Sequence, residues 1–331
     1  MKESNWILPR HTSDWEKIRD LLDLVPKFQP LDAENKKKMW KMLNENKLAA
    51  ARNKKYKADS INHRFELLEF FMLGYFKTSS SYKIYLNSAI GKLFFDNKYS
   101  ELEKSKILLA ALWNVQLQHP FHINSTTNNE FELYPFRLLY KLMMESDLDY
   151  RLSLPEYVQI VSKIKKITET EYVALKKEIL AFRKITNEEK FNQIKSREFE
   201  HIDALYTWGY YYKKILYDGG CLDVIQGNLI GKLSHPKRPT TKNKTYRKLS
   251  DEYYEIPKEI RAFCNILSES YPFYENITKL KDERKLSDDI KTEIYNFLPE
   301  ELLSEIGIDN VQIKNLSQLS NLPTLLKKYS R

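Results

Sequence analysis

A chain of 331 residues is long enough for two or three domains. Its net charge of +9 and pI near 9.1 suit a polyanionic partner. No run of about 18 apolar residues is present to span a membrane, Met1 to Trp6 lacks the apolar core of a signal peptide, and Cys221 and Cys264 sit in apolar-rich segments as expected of buried thiols, so a cytoplasmic protein is expected.

Helical spacing of apolar residues opens the chain, through Trp15, Ile18, Leu21 and Leu22 and then Met39, Trp40, Leu43 and Leu48. A basic run follows between Asn46 and Arg64, with Lys47, Arg52, Lys54, Lys55, Lys57 and Arg64 against the single acid Asp59. The pattern predicts a helix from about Ser60 to Leu73 and a β-hairpin over Tyr75–Leu86. A helix fronted by positive charge and followed by a two-stranded wing is the layout of a winged helix, which sets a helix N-terminus, cations and small hydroxyls along a DNA backbone.

Ser100 with Glu103, Ser153 with Glu156 and Thr168 with Glu171 form capping boxes that open three further helices, with Pro155 in the first turn of the second. The polar loop His122–Glu130 separates a first unit from a second. In the second unit a long helix is expected from about Arg197 to Tyr217, stopped by Gly219-Gly220. A hairpin of Cys221–Ile225 and Leu229–Leu233, turning at Gln226–Asn228, completes a second winged-helix pattern. That hairpin leads into an acid-free stretch, Val224–Ser250, which carries Lys232, Lys237, Arg238, Lys242, Lys244, Arg247 and Lys248 and reads as a mobile arm or extended wing. Helix resumes near Pro257, and three helical patterns beyond Leu280 (Ser287–Phe297, Pro299–Ile306, Ser317–Tyr329) read as a linker or scaffold. The expected architecture is mainly α with small β-hairpins. Tandem winged-helix (helix-turn-helix) subdomains occupy 1–125 and 126–280, and a helical linker occupies 281–331.

Candidate DNA contacts follow from these positions. Arg52, Lys54, Lys55 and Lys57 front the first helix, and Ser60, Asn62, His63 and Arg64 lie in its first turns. Asn and Arg can contact adenine and guanine edges bidentately, although an ordinary exposed helix start reads equally well. Lys77, Ser80 and Lys83 lie in the first wing, and Lys195, Arg197 and His201 front the long helix, where an internal salt bridge with Glu198 is as good an explanation. His235, Lys237, Arg238, Lys242, Lys244 and Arg247 occupy the acid-free stretch. Tyr210-Tyr211-Tyr212 beside Trp208 fits core plus rim better than a base-stacking platform.

No catalytic or metal site is legible. There is no Pro-Asp dipeptide, and the Glu-x-Lys triplets at Glu34, Glu45, Glu188 and Glu283 lie in polar, helix-like surroundings. His63, His119, His122, His201 and His235 lack partners at zinc-ligand spacing, and eight glycines leave little room for a phosphate-binding loop. No cofactor is expected in this chain.

Several segments in order carry a family resemblance: Asn5-Trp6-Ile7-Leu8; Tyr82–Leu93, with Ser88-Ala89-Ile90-Gly91-Lys92-Leu93 in the manner of "T-x-x-G-K-x-L"; Ala111–Pro120, in the manner of "L-x-x-W-Q-x-P"; and Tyr134-Pro135-Phe136 leading to Leu138, Leu139 and Leu142 and then Leu152–Tyr157. Together, over roughly residues 1–280, they resemble the N-terminal recognition region of AlwI-type (type IIS, BpuJI- and FokI-like) restriction endonucleases. The resemblance implies tandem winged helices that read a short asymmetric site in double-stranded DNA. It also implies a separate C-terminal PD-(D/E)xK nuclease domain, or a partner subunit, that cuts with magnesium. A monomer and a cognate methyltransferase in the same system are expected. A stand-alone winged-helix transcriptional regulator is the alternative from another class, and a protein-interaction scaffold with an incidental basic surface is a third.

Overall fold

The computed structural model of the chain describes residues 5–6, 8, 14–45, 58–79, 82–117, 130–197, 204–234, 246–275, 295–296 and 298–308. The chain divides into two compact units: Pro9–Val115 with His119–His122 and Thr278–Arg331, and Met1–Leu8 with Gln116–Gln118 and Ile123–Ile277.

In the first unit, three helices lead to a hairpin, the order expected from the sequence. They are α1 (Trp15–Phe28), α2 (Ala33–Glu45) and α3 (Ala58–Phe70), followed by β1 (Gly74–Ser79) and β2 (Tyr82–Asn87). Asp14 caps α1, its carboxylate accepting from the amides of Glu16 and Lys17. The antiparallel register runs from Gly74↔Asn87 to Ser79↔Tyr82 and sets Phe76 opposite Tyr85. Strand alternation turns that pair towards α3, where Phe65 meets both rings with centroids 5.1 and 4.8 Å away. On the other hairpin face Tyr295 stacks on Tyr75 at 4.8 Å, and its hydroxyl donates to the Glu69 carbonyl. Helix α4 (Ala89–Phe95) then starts under Ser88, which accepts from the Gly91 amide and donates to the Met72 carbonyl at 2.6 Å. A Cβ on Gly91 would lie 1.8 Å from the Leu73 carbonyl oxygen, so only glycine fits this approach. Helix α5 (Glu101–Trp113) opens with the predicted Ser100–Glu103 capping box, and its residues from Ile107 to Trp113 are all buried, as suits a core helix.

The second unit holds α6 (Pro135–Met143), β3 (Arg151–Ser153), α7 (Leu154–Gln159), α8 (Glu169–Lys184) and α9 (Asn187–Ser196). The Ser153–Glu156 and Thr168–Glu171 capping boxes both form, and a further one, Thr186–Glu189, opens α9. Trp6 belongs here: its amide donates to the Ser162 carbonyl and its indole nitrogen to that of Ile164, both at 2.8 Å. The core carries buried ion pairs. Arg183 donates from Nε to Glu156 at 2.8 Å and also reaches the Leu148 and Arg151 carbonyls. Arg137 reaches Glu275 at 2.7 Å, and Lys213 holds both oxygens of Glu252 at 2.7 and 2.8 Å. Cys221 and Cys264 are free and buried, and burial pushes both thiols up.

Two expectations are corrected in this unit. Arg197 closes α9 as its C-cap instead of opening a long helix, and residues 204–207 are helical. Residues 204–218 contain a π-helical turn at Trp208–Tyr212 before α10 (Lys213–Asp218), which ends at Gly219 with Gly220 at φ 65°, the glycine stop anticipated. The second hairpin also pairs differently. Strand β4 (Asp223–Ile225) does not turn back on β5 (Leu229–Ser234). It joins β3 and β7 (Tyr253–Glu255) in an antiparallel sheet of order β3-β7-β4, while β5 pairs with β6 (Tyr246–Ser250). The reason lies where the chain passes between sheets. Asp251 accepts from the Asn228 amide and donates its own amide to the Asn228 carbonyl, and a Cβ on Gly227 would lie 2.4 Å from the backbone of Asp251 and Glu252. That lock sends 229 onwards alongside 246–250, and helix α11 (Arg261–Ser270) follows β7.

Among the described residues no helix is long and apolar enough to cross a membrane.

Candidate nucleic-acid interface

The β5–β6 hairpin is seated on two helices. Its register pairs Gly231 with Leu249, Lys232 with Lys248 and Leu233 with Arg247. Residues opposite each other share a face and successive pairs alternate, so Gly231, Leu249, Leu233 and Arg247 face one way and the two lysines the other. On the inner face a Cβ on Gly231 would meet the Phe191 ring at 2.0 Å, which lays β5 flat on α9. One helical turn beyond, the Lys195 ammonium lies 5.7 Å from the same ring. The Arg247 guanidinium sits 4.0 Å from the Tyr206 ring centroid and 5.2 Å from that of Tyr210. Tyr206 shares a 2.8 Å hydrogen bond with Tyr211, and Tyr210 accepts from the Lys248 amide.

Outside, Lys232 and Lys248 are exposed and directly opposed, and among the described residues neither has an ion-pair partner. Like charges facing each other across strands cost stability. A polyanion lying over this face would remove that cost, so the arrangement favours phosphate contact over fold stability.

The predicted site residues divide by position. Arg52, Lys54, Lys55, Lys57, Ser80, His201, His235, Lys237, Arg238, Lys242 and Lys244 lie outside the described residues. Ser60, Asn62 and His63 fall in the opening turns of α3 as anticipated, and Lys83 lies on β2 opposite Thr78. Arg64 is half-buried. Burial pushes its guanidinium down, and its Nη1 is buried without an acceptor among the described residues. Lys77 is exposed on β1. Lys195 and Arg197 sit at the C-terminal end of α9, not at a helix start. Arg247 is turned inward. Tyr212 and Trp208 are buried, whereas Tyr210 is 41% exposed, the core-plus-rim arrangement expected.

Sequence reasoning counted Lys232 and Lys248 in the basic run without singling them out, and it missed Tyr206. The signal available was the Tyr206/Tyr210 spacing of four, which puts both rings on one helix face. The lysine pair needed the β5–β6 register, which spans the acid-free loop.

Among the described residues no three His, Cys, Asp or Glu side chains come together to hold a metal ion. Glu34 pairs with Lys38 on an exposed turn of α2, and Glu188 is exposed on α9, as solvated helix faces.

A mainly helical protein with small antiparallel sheets and a basic, tyrosine-backed hairpin is the class this geometry defines. Residues 1–271 match the family described as the N-terminal domain of the type II restriction endonuclease HgaI. Over 330 residues the chain is 30% identical to the type II restriction enzyme HgaI of Avibacterium volantium, an alignment covering 98% of this chain and 66% of that enzyme. The chain therefore belongs to the HgaI N-terminal domain family, and it spans slightly less than two thirds of that relative's length. The expected kinship is met at the level of a type II restriction-endonuclease N-terminal region, and the matching family is HgaI's.

Proposed function

We propose that this chain is the sequence-specific double-stranded DNA recognition region of a type II restriction endonuclease. The match of residues 1–271 to the HgaI N-terminal domain carries the reading. The exposed lysine pair on β5–β6 and the acid-free stretch around it support it. The finer reading is type IIS. Two unlike hairpin-bearing units in one chain suit a monomer that reads one asymmetric site through winged helices, and the AlwI-like order of motifs points the same way. Cleavage then falls to a separate magnesium-dependent PD-(D/E)xK nuclease domain or subunit, and a cognate methyltransferase protects the host site.

Selection from a randomised duplex pool tests this. The expected return is one non-palindromic consensus of about four to seven base pairs, bound by a monomer with a preference of about a thousandfold or more over random duplex. A palindrome bound by a dimer would point instead to a winged-helix transcriptional regulator, and no enrichment would end the DNA-recognition reading.

A further inference from the structure

The basic run 224–250 contains two kinds of cation, sorted by strand register. Lys232 and Lys248 stand outward and opposed, whereas Arg247, next to Lys248 in sequence, points the other way onto Tyr206 and Tyr210. We propose that the outer face of the β5–β6 hairpin grips the sugar-phosphate backbone of duplex DNA through Lys232 and Lys248. In the same arrangement Arg247 is a positioning residue that clamps the hairpin to the helical run 204–218 without touching DNA. The inference rests on the DNA-recognition reading above and deepens it.

The chemistry of the face selects backbone over bases. An ammonium on a flexible stem is a compact point charge that satisfies phosphate oxygens, whereas base edges are read best by the planar forks of Arg, Asn and Gln. Among the described residues of β5 and β6 the one such fork, Arg247, is turned inward and laid on two rings. Single-stranded nucleic acid would call for unoccupied aromatic faces, but Tyr206 and Tyr210 are taken up by Arg247. Two lysines on Cα atoms about 5 Å apart can each take a separate phosphate. The opposed pair is a liability in the free protein, and two released counterions offset it in the complex. The clamp gives the lysines a fixed base: Gly231 rests on Phe191, Arg247 on Tyr206, and the Lys248 amide on the Tyr210 hydroxyl.

The test uses the 331-residue chain, a duplex recovered by selection, and a shuffled duplex of equal length, with affinity followed against salt. K232A/K248A should weaken both duplexes alike, by about tenfold at moderate salt. It should also lower the slope of log affinity against log salt by roughly 1.8, the value for two phosphates. Its melting temperature should equal or exceed that of the native chain, since a like-charge pair has gone. R247Q should weaken binding about tenfold in the native background and by less than twofold in the K232A/K248A background, because it acts through the lysines. An unchanged salt slope, loss confined to the selected duplex, or a lowered melting temperature of the lysine variant would overturn the grip. An R247Q loss equal in both backgrounds, or no loss in either, would overturn the clamp. A native chain that binds no duplex would instead remove the proposed function itself.

Discussion

The two hairpin-bearing units hold their strands by different means. In the first, β1–β2 is fixed by aromatic packing: Phe65 against Phe76 and Tyr85 on one face, Tyr295 on Tyr75 on the other. In the second, β5–β6 rests on a glycine under a phenyl ring and an arginine over two tyrosines, within a core laced by Arg183–Glu156, Arg137–Glu275 and Lys213–Glu252. The first arrangement is non-directional and tolerates small shifts. The second is directional, so it fixes which side chains of the hairpin look outward. Such orientation is what a surface needs when it must present cations at set positions, at the cost of desolvating buried charges.

The largest effects should come from striking each core in its own terms. Phe65→Ala leaves a cavity and should cost about 3–5 kcal/mol in denaturant unfolding. Arg183→Met strands the Glu156 carboxylate, which is 2% exposed, and should cost a similar 3–5 kcal/mol. The two differ in rescue. Adding Glu156→Gln to Arg183→Met should recover a measurable part of the loss, since a buried charge goes with its partner, and no recovery would mean that Arg183 acts mainly through the carbonyls of Leu148 and Arg151.

Glycine replacements sharpen the contrast at the next level down. Gly91→Ala drives a methyl into the Leu73 backbone carbonyl, while at Gly231 the nearest atoms an added methyl would meet belong to the Phe191 side chain rather than to backbone. Overpacking typically costs about 1–3 kcal/mol, and Gly91→Ala should fall at the top of that range and Gly231→Ala at the bottom. Equal melting shifts would show that the hairpin seat on α9 is as rigid as backbone.

In binding, Lys237→Ala, Arg238→Ala, Lys242→Ala and Lys244→Ala together should weaken all duplexes alike and flatten the salt dependence. Asn62→Ala should cost about 1–3 kcal/mol at particular base pairs, if α3 enters the major groove. Equal loss on selected and shuffled duplex would reassign Asn62 to the backbone.

The smallest effect concerns acid. Burial opposes the charged form of Glu145, but hydrogen bonds from Lys176 and Lys141 and their charges prevail, and its carboxyl is held below the ordinary value. A depressed carboxyl stabilises the folded state above its unfolded pKa of about 4.3 and loses that contribution as pH falls through the lower folded value. Glu145→Gln should therefore flatten the stability curve below about pH 4 and leave its shape at higher pH unchanged.

Local signals were the legible part of the sequence. Capping boxes at Ser100, Ser153 and Thr168, the glycine stop after Tyr217 and the β1–β2 hairpin all form as read, because each depends on residues within a few positions of one another. The β4–β5 hairpin failed for the opposite reason. Its turn residues Gln226–Asn228 are plausible locally, but Asp251, far along the chain, captures Asn228 and passes β5 to a partner beyond the acid-free loop. Arg247 illustrates the same limit at the site: composition places it among phosphate-seeking cations, and only strand pairing shows that it faces two tyrosines.

The π turn at Trp208–Tyr212 carries a consequence for how such a surface can diverge. A π turn holds one residue more than an α turn, so whatever follows it is rotated by about 100° relative to an uninterrupted helix. Tyr206 precedes that offset, and Lys213, which grips Glu252, follows it. Removing a single codon inside the turn would delete one of its five residues and swing Tyr206, the nearer ring of the Arg247 seat, out of phase with the anchored half of the helix. Length at this one position is thus a steering setting: the outward face of the hairpin can be re-aimed without altering any residue that would meet a ligand.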